Sequence, residues 1–344
     1  MTLATQPLVG LSDAYGRVAR DLRVSLTDRC NLRCSYCMPA EGLAWLPGRT
    51  ILTDAEIIRL VKVAVEVLGV DTIRFTGGEP LLRPGLAGII AAVRQLTTEA
   101  GAPPATALTT NGIGLDARVD ELKAAGLQRV NISLDSLDRQ RYAALARRDR
   151  LPEVLAGLAA AEKAGLHPVK VNTVVMRGVN EEDVLPLAEF CLDRGYELRF
   201  IEQMPLGPRH GWDRSVMVPA EEVLAQLRQH YRLEPLPGRG AAPSEDWQVL
   251  DADGAPRGRI GVIASVTRPF CGACDRTRLT ADGQVRNCLF AQTETDLRTP
   301  LREGASDEEL AMLWRGAHLA KARGHGIDDP GFEQPVRTMS SIGG

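Results

Sequence analysis

The chain has 344 residues, of which 44% are hydrophobic and 25% are charged, and these proportions are ordinary for a globular protein with a large buried core. Its formal net charge of -3 excludes a sequence-wide basic field that would attract nucleic acid. Because a single domain usually has roughly 100 to 200 residues, the length favours an α/β barrel with a smaller appended unit.

The amino-terminal segment, MTLATQPLVG, has no charged stretch followed by a long apolar run, and no run of about 18 apolar residues occurs in the chain. We therefore expect a cytoplasmic protein without a membrane contact. Six of the seven cysteines fall into two close groups, which in a reducing compartment is typical of metal binding. The seventh, Cys191, lies on the apolar face of a predicted helix and is expected in the core.

Six strand-like segments alternate with helix-like segments between residue 21 and about residue 204. The strand candidates are DLRVSLT, TIRFTGG, ATALTTNG, RVNISLD, VKVNTVVM and ELRFIEQM. Thr53 or Asp54 is expected to cap the first helical segment, which ends at Leu68. Such alternation predicts parallel βαβ units, which curl into a partial barrel or an open sheet. Polar and glycine residues directly after the strands favour the barrel, because barrel enzymes build their sites at those ends.

The pattern changes after Met204. One helix is predicted around residues 221–230, and PLPGRGAAPSED is typical of a loop. Short strands are predicted over residues 247–266 and 276–290, each with an Asp-Gly turn, and helices follow over about residues 296–323. The expected fold class is α/β, a partial (βα)6 TIM-like barrel with a C-terminal extension. The expected division is an N-terminal segment (1–20), the barrel (21–218) and a C-terminal domain (219–344).

The first cysteine group follows the first strand, where SLTDRCNLRCSYCMP spaces Cys30, Cys34 and Cys37 as C-x3-C-x2-C. Three thiolates on a 4Fe-4S cluster leave one iron open for another ligand, whereas a structural zinc normally takes four protein ligands. A zinc site completed by Cys191 or a histidine is the alternative on spacing alone. The second strand ends in a Gly-Gly-Glu-Pro turn, which without the cysteines would be a simple connection to a loop.

This region resembles the radical S-adenosylmethionine (SAM) superfamily, whose partial barrel carries C-x3-C-x2-C after strand one and a GGEP-like turn after strand two. The resemblance implies that the open iron chelates the methionine moiety of SAM and that an electron from the cluster cleaves SAM to a 5'-deoxyadenosyl radical. It implies that Gly77 and Gly78 let the backbone approach the bound methionine. By position, the implied cofactor contacts are Tyr36, Gly78, Ser133 and Met204, although Met204 taken alone would more often be a core residue.

The second cysteine group contains Cys271, Cys274 and Cys288 in CGACDRTRLTADGQVRNC. Zinc ribbons usually use two C-x2-C pairs, and the second pair is missing here. Three thiols therefore favour an auxiliary 4Fe-4S cluster in the extension, again with an open iron. His318 and His325 keep a zinc site as the alternative.

Basic residues accompany both regions. Arg276 and Arg278 are two positions apart, so they share one face of an extended segment. Together with cations of the barrel strands, five basic side chains are expected to face one cavity: Arg23, Arg74, Lys170, Arg276 and Arg278. Buried cations require anions, which are either protein carboxylates or substrate phosphates held by arginine forks. The carboxylates that could serve are Glu79, Asp135 and Glu202.

From about residue 10 to the end, these segments together resemble the GTP 3',8-cyclase family of molybdenum cofactor biosynthesis. The resemblance implies radical cyclisation of GTP to (8S)-3',8-cyclo-7,8-dihydroguanosine 5'-triphosphate with SAM, a reductant and two 4Fe-4S clusters, with guanine on the open iron of the second. The implied substrate contacts are Arg23, Arg74, Thr109, Lys170, Arg276, Thr277 and Arg278. The implied catalytic residues are Arg276, Arg278, Gly343 and Gly344. One departure is Asp275, which stands where asparagine is expected.

The resemblance also implies partners. They are GTP, an electron donor such as flavodoxin or ferredoxin, a downstream cyclic pyranopterin monophosphate synthase that receives the product, and a second copy of the chain in a homodimer. Nucleic acid and membrane partners are not expected. Two other functions remain open, a radical SAM enzyme that modifies peptides and an iron-sulfur sensor or electron carrier without catalysis.

Overall fold

The computed structural model of the chain describes residues 10–208 and 212–343. Its strands are β1 (Asp21–Ser25), β2 (Thr72–Thr76), β3 (Ala105–Thr110), β4 (Arg129–Ser133), β5 (Val169–Val175), β6 (Glu197–Glu202), β7 (Arg232–Pro235), β8 (Glu245–Leu250), β9 (Pro256–Ile263), β10 (Arg276–Leu279), β11 (Gln284–Arg286) and β12 (Thr295–Asp296). Its helices are α1 (Asp54–Lys62), α2 (Leu86–Val93), α3 (Leu115–Ala124), α4 (Arg139–Ala146), α5 (Leu151–Lys163), α6 (Val184–Asp193), α7 (Ala220–Arg228), α8 (Arg298–Arg302), α9 (Asp307–Leu319) and α10 (Met339–Ile342).

The six predicted barrel strands are confirmed as β1 to β6, which are parallel neighbours in chain order. Buried and half-buried side chains alternate strictly along β5. That alternation is the pattern of a barrel strand, since one face packs under the outer helices and the other faces the interior. The strands therefore deliver every second side chain to the inside of the barrel.

Helix α1 begins where the sequence indicates. The side chain of Thr53 accepts a hydrogen bond from the Glu56 backbone N–H, and the Glu56 carboxylate accepts one from the Thr53 N–H. This capping box satisfies two of the free N–H groups at the helix start. The helix then continues as a π-helical segment, Val63–Val67, before the chain turns into β2.

The C-terminal extension joins the same sheet at both of its edges. Among the described residues, twelve strands lie in the order β12-β11-β10-β1-β2-β3-β4-β5-β6-β9-β8-β7. Strand β10 pairs parallel with β1, and β9 pairs parallel with β6. Because an open parallel edge exposes unpaired N–H and C=O groups, the extension covers both edges that a six-stranded partial barrel would leave.

The core lies between the barrel wall and its helices, with Phe75 and Trp314 among the largest fully buried side chains. Trp314 of α9 also donates its indole N–H to the Thr277 hydroxyl of β10, at 2.9 Å, which fixes the extension to the core. Cys191 is completely buried in α6, as expected for a packing residue. In the two described ranges, no helix has the length and apolar character needed to cross a bilayer.

Candidate active site

One large cavity, here called the main cavity, occupies the inside of the barrel. All six barrel strands contribute to its lining, through Arg23, Arg74, Thr109, Ser133, Asn172 and Arg199 among others. The loop after β1, the Gly-Gly turn after β2 and the chain terminus at α10 close its upper part. The polar residues noted at the strand ends are therefore brought together around one space.

The first thiol group borders this cavity. Cys30, Cys34 and Cys37 all line it, and the backbone N–H groups of Cys37 and Met38 fold back onto the Cys34 carbonyl at 2.9 and 3.1 Å. Burial raises the pKa of Cys30 to about 11 and that of Cys37 to about 12. The protein alone thus keeps these thiols protonated, and a bound metal group would supply the positive charge that holds them as thiolates.

The arrangement of the thiols fits a multi-iron group. Within residues 10–208 and 212–343, no three His, Cys, Asp or Glu side chains converge on a point that could hold one metal ion. An iron-sulfur cluster distributes its thiolates over separate irons and does not require them to meet. Three cysteines that all border one cavity are compatible with such a cluster.

The Gly-Gly turn packs directly on the cysteine loop. The Gly78 N–H donates to the Thr27 carbonyl at 2.7 Å, and a Cβ added to Gly78 would lie 2.3 Å from the Arg29 carbonyl oxygen. A Cβ on Gly77 would lie 2.5 Å from the Thr27 carbonyl oxygen. Backbone-to-backbone packing therefore requires both glycines, in addition to any approach of the backbone to a bound methionine.

Two buried carboxylates face the same end of the main cavity. Glu79 accepts hydrogen bonds from the Thr110 hydroxyl at 2.6 Å and the Asn111 N–H at 2.8 Å, and burial raises the pKa of Glu79 to about 7. Asp135 accepts from the Tyr36 hydroxyl at 2.8 Å, and burial raises its pKa to about 6.

None of the three carboxylates considered from the sequence pairs with a predicted cation. Glu79 and Asp135 bond to the neutral groups described above, and Glu202 accepts from the Ala220 and Val266 N–H groups, each at 2.9 Å. Of the two alternatives for neutralising the basic side chains, the structure therefore does not support pairing with these three carboxylates. Glu79 and Asp135 accept hydrogen bonds from groups near the ends of the strands, and Glu202 accepts one at the start of α7.

Three arginines lie side by side across adjacent strands, and we call Arg74, Arg23 and Arg278 the arginine row. The register pairs Arg23 of β1 with Arg74 of β2 on one side and with Arg278 of β10 on the other. Neighbouring strands are about 4.8 Å apart, so the three guanidinium groups crowd one wall of the main cavity. Arg276 precedes Arg278 on the same face of β10 and also lines the cavity.

The row lacks matching negative charge. Arg74 has Asp21 at 3.8 Å, whereas in the described part of the chain neither Arg23 nor Arg278 has a carboxylate at salt-bridge distance. Enclosure in the barrel, followed by repulsion from Arg278, holds the pKa of Arg23 well below its usual range. Enclosure and Arg276 lower the pKa of Arg278 to about 10. Buried cations in this state require an anionic ligand.

A second pocket opens at the amino ends of the barrel strands, and we call it the amino-end pocket. It is lined by Arg74, Arg129, Lys170, Arg199 and Arg276, and it shares Arg74, Arg199 and Arg276 with the main cavity. Lys170 therefore lies here and not in the main cavity, and it forms an ion pair with Glu197. Residues 241–244 close the pocket, with the Ala241 carbonyl accepting from Arg276 at 3.1 Å.

Arg199 and Arg129 were missed by the sequence reasoning. Enclosure and the neighbouring Arg74 lower the pKa of Arg199 to about 10. A signal was present, because Arg199 interrupts the apolar strand ELRFIE as Arg23 interrupts DLRVS. Arg23 and Arg199 share this feature, a basic residue within a strand of the barrel.

The second thiol group borders a smaller pocket that adjoins the main cavity. Cys271, Cys274 and Cys288 all line it, together with Arg276 and Arg278, which line both spaces. Burial acts to raise the pKa of Cys274, but Arg276 and Lys321 outweigh it, so the pKa is lowered. The Asp275 carbonyl accepts hydrogen bonds from the Arg20 and Asp21 N–H groups at 2.8 and 3.1 Å, and its carboxylate lies 3.7 Å from Arg276.

Neither histidine considered as a zinc ligand is placed for that role. His325 borders the pocket, but its Nε2 lies 2.9 Å from the Ser265 carbonyl and its Nδ1 accepts from the Ile327 N–H at 3.1 Å. Both ring nitrogens are thus engaged. His318 is buried in α9 and does not line the pocket.

Helix α10 and the residue after it lie against the main cavity. Ser340 of α10 lines the cavity, and the Gly343 carbonyl accepts a hydrogen bond from Arg278 at 2.5 Å. Gly343 has φ +81°, and a Cβ there would lie about 3 Å from Thr76 and Ser25, so glycine suits the position. Gly344 lies outside the described residues.

The other residues implied by the resemblance divide into two sets. The structure brings Tyr36, Gly78, Thr109, Ser133 and Met204 to the main cavity. Thr277 is not brought there, since its hydroxyl binds Trp314 on the opposite face of β10. Because side chains alternate along a strand, Thr277 faces away from Arg276 and Arg278.

Comparisons with known proteins agree with this architecture. The family model of the radical SAM superfamily matches residues 24–191, and the model "Molybdenum Cofactor Synthesis C" matches residues 196–327. The crystal structure of Streptococcus suis SuiB is similar in fold, with a TM-score of 0.60 at 14% identity over 90% of this chain and 68% of that one.

Curated relatives match nearly the whole chain. A GTP 3',8-cyclase of Corynebacterium glutamicum is 62% identical, over 97% of this chain and 89% of its own length. GTP 3',8-cyclase 2 of Mycobacterium tuberculosis is 58% identical, over 99% and 93%, and a GTP 3',8-cyclase of Streptomyces coelicolor is 59% identical, over 97% and 96%. The chain therefore belongs to the GTP 3',8-cyclase family of the radical SAM superfamily.

Proposed function

We propose that the chain is a GTP 3',8-cyclase that converts GTP to (8S)-3',8-cyclo-7,8-dihydroguanosine 5'-triphosphate, the first step of molybdenum cofactor biosynthesis. It uses SAM and a reductant and holds two 4Fe-4S clusters, one at each thiol group. The names of its relatives support the reaction. The arginine row, open to a cavity that adjoins both thiol groups, is the observation that carries the proposal.

At the first thiol group, Cys30, Cys34 and Cys37 hold the cluster. When bound, cluster and SAM supply the carbon-centred radical that removes hydrogen from ribose C3' of GTP. The Glu79 carboxyl group is hydrogen-bonded to neutral groups, and the positive charge of SAM would stabilise its ionised form. The remaining contacts assigned to SAM come from the lining of the cavity, namely Tyr36, Gly78, Ser133 and Met204.

The arginine row binds and orients the triphosphate. Arginine forks form bidentate, charge-assisted bonds with phosphate oxygens, and three forks on one wall fix the ribose relative to the cofactor end. The amino-end pocket adds two further basic side chains, Lys170 and Arg199, beyond the arginine row. These side chains are suited to bind the terminal phosphate of the triphosphate. Thr109 contributes a hydroxyl from β3. Thr277 is not among these contacts, because its hydroxyl accepts the indole N–H of Trp314 on the opposite face of β10.

The guanine end is directed to the second thiol group, where Cys271, Cys274 and Cys288 hold a cluster with an open iron. Arg276 and Arg278 lie between the two spaces, since each lines both the main cavity and the smaller pocket, and they can contact the nucleotide where it passes from one to the other. The bond from Arg278 positions Gly343 beside the reacting region, where a residue without a side chain leaves room for the nucleotide. The catalytic role expected of Gly344 concerns a residue outside the described ranges and stays a prediction. Because C3' and C8 belong to one nucleotide, the cyclisation is already intramolecular, and holding ribose and base at fixed ends selects the conformation in which these two carbons are close.

The wider context follows from the same proposal. A flavodoxin or ferredoxin delivers electrons, a cyclic pyranopterin monophosphate synthase receives the product, and the chain forms a homodimer in the cytoplasm. Residues 21–218 act as the radical-generating barrel and residues 219–344 as the unit that carries the second cluster.

The experiment is an oxygen-free incubation of the reconstituted chain with GTP, SAM and dithionite. We expect the cyclised nucleotide, 5'-deoxyadenosine formed in a GTP-dependent manner, and about eight irons and eight sulfides per chain, the sum of two 4Fe-4S clusters. A peptide-modifying enzyme would give 5'-deoxyadenosine without a GTP product, and an electron carrier would cleave no SAM. Zinc at both thiol groups would contradict the proposal.

A further inference from the structure

Lys321 is a buried cation beside the second thiol group, and the mechanism above does not use it. Its side chain is 4% exposed and follows the end of α9. The ammonium donates to the Arg276 carbonyl at 3.0 Å and the Cys274 carbonyl at 3.2 Å, and it lies 3.4 Å from the Cys274 sulfur. The three protons of a lysine ammonium are therefore all directed at the segment that carries a ligand sulfur.

Among the described residues, Asp275 attracts Lys321 from beyond salt-bridge distance, so the charge of the ammonium is only partly balanced. In residues 10–208 and 212–343, Lys321 has no Asp or Glu within the 4.0 Å limit of a salt bridge. The neighbouring Asp275 is 3.7 Å from Arg276 instead. A buried ammonium without a paired anion is costly, and the Cys274 sulfur becomes anionic when it binds iron. The ligand sulfur is thus the negative charge that Lys321 is placed to meet.

We propose that Lys321 raises the reduction potential of the second cluster through a charged hydrogen bond to the Cys274 sulfur. The inference rests on the two-cluster function proposed above. Uptake of one electron adds one negative charge to a cluster and its thiolates, and a cation at the ligand sulfur stabilises that reduced form more than the oxidised form. Lys321 is accordingly a positioning and tuning residue, since it acts through Cys274 and touches no substrate atom.

The test measures the potential of each cluster in the reconstituted full-length protein, by EPR at controlled potential with dithionite as the one-electron reductant. Lys321→Gln keeps N–H donors for the two carbonyls and removes the charge, and Lys321→Arg keeps the charge. Lys123→Gln is the matched control, because that lysine is exposed and donates to the Gly165 carbonyl. The first cluster is the internal reference in every sample.

We expect Lys321→Gln to shift the reduction equilibrium of the second cluster about tenfold toward the oxidised form, which is about 59 mV for one electron. Lys321→Arg should retain most of the original potential, and Lys123→Gln all of it. Unchanged potentials in Lys321→Gln, with both clusters loaded, overturn the inference. Loss of the second cluster from Lys321→Gln assigns Lys321 to assembly and also overturns it. If the unmodified chain binds only about four irons, one cluster's worth, the proposed function itself fails.

Discussion

The arginine row obtains its chemistry from strand register. Considered by itself, Arg23 is one arginine in a β-strand. The pairing of β1 with β2 and with β10 places it between Arg74 and Arg278. Three cations on one enclosed wall repel one another, and the described residues give Arg23 no carboxylate partner. Such a group destabilises the ligand-free protein and strengthens the binding of a polyanion.

Replacing Arg23 should therefore change stability and affinity in opposite directions. In Arg23→Met, we expect the ligand-free chain to unfold at a higher temperature, because an uncompensated buried cation is removed while its aliphatic volume is kept. GTP affinity should fall by about 1.5 to 3 kcal/mol, as for a lost charge-assisted bond. Calorimetric titration and thermal unfolding measure the two effects. Arg20→Met, which removes an outer arginine paired with Glu99, should leave GTP affinity unchanged; equal affinities in all three proteins would contradict the phosphate role.

Glu79 gives the stability of the metal-free chain a pH dependence. Its pKa is raised by burial from 4.5 to about 7, so between these values the folded state holds a proton that the unfolded state releases. The stabilising contribution is complete below the unfolded pKa and is lost as the pH rises through about 7. From about pH 5 to pH 8, the unfolding free energy of the unmodified chain should fall because Glu79 ionises. In Glu79→Gln this fall should be smaller by on the order of 3 kcal/mol. Urea unfolding at each pH measures this loss.

An exposed glutamate provides the control for that measurement. Glu189→Gln should lose unfolding free energy with pH as the unmodified chain does, since its carboxylate is in solvent. Parallel curves for the Glu79 variant and the unmodified chain would show that the Glu79 proton is not coupled to folding.

The two thiol groups should separate SAM cleavage from cyclisation. Cys34→Ser should abolish formation of 5'-deoxyadenosine, because Cys34 is a proposed ligand of the cluster that would cleave SAM. Cys274→Ser should spare an uncoupled fraction of that cleavage and stop GTP conversion. Chromatography of the nucleosides measures both products. Equal loss of both activities in a folded Cys274 variant would contradict separate roles.

At the residue scale, motifs located the cavity better than they assigned individual contacts. The strand-end positions Ser133 and Thr109 could be placed because parallel strands end on one side of a barrel. The depth of Lys170 could not be predicted, since it depends on how far each strand is shifted along the barrel. The direction of Thr277 could have been, because the alternation that puts Arg276 and Arg278 on one face puts Thr277 on the other. Arg199 carried a readable signal, a charge in an apolar strand, that was not used.

At the scale of elements, α10 is held to the extension by an ion-pair cluster. Arg337 donates to both carboxylate oxygens of Asp282, at 2.8 and 2.9 Å, and its guanidinium lies 2.8 Å from Glu294. The Met339 N–H donates to the Leu206 carbonyl at 2.8 Å, next to β6. The terminus is therefore fixed just before the point where Gly343 meets Arg278.

Removing the Arg337 cluster should release the terminus. We expect Arg337→Ala to make the last residues accessible to carboxypeptidase, because a bidentate, partly buried pair is lost together with its second carboxylate. Mass spectrometry measures the rate of release. Arg214→Ala is the control, since the Arg214–Asp328 pair is exposed on both sides and contributes little. Equal release from both variants would mean that Leu206 and Arg278 alone hold α10.

The local sequence pattern was enough to predict strands β1 to β6 and the Asp-Gly hairpins of the extension, since each of these depends on residues close in sequence. It did not predict that β9 and β10 join opposite edges of the barrel sheet. Such pairing links segments far apart in the chain, such as Arg23 and Arg278, and no periodicity within either strand records its distant neighbour.

At the scale of the whole molecule, the sheet makes the barrel and the extension mutually dependent. The extension supplies the neighbours of both β1 and β6, and α9 anchors β10 through Trp314. Neither part can unfold without exposing strand edges of the other.

The metal-free chain should therefore unfold in one cooperative transition. We expect far-UV circular dichroism and tryptophan fluorescence to give coincident urea curves, because both parts share one sheet. A chain that ends at residue 218 should aggregate, since it leaves the edges of β1 and β6 unpaired. Two separated transitions, or a monodisperse truncated chain, would contradict this dependence.

The arginine row has a consequence for turnover. If the row binds the triphosphate as proposed, it contacts a part of the nucleotide that the reaction leaves unchanged, since cyclisation alters only the ribose and the base. Product would then compete with fresh nucleotide for the same guanidinium groups, and accumulated product would inhibit turnover. Only the opposite end of the molecule, where the base has lost its planarity, distinguishes the spent ligand from the new one.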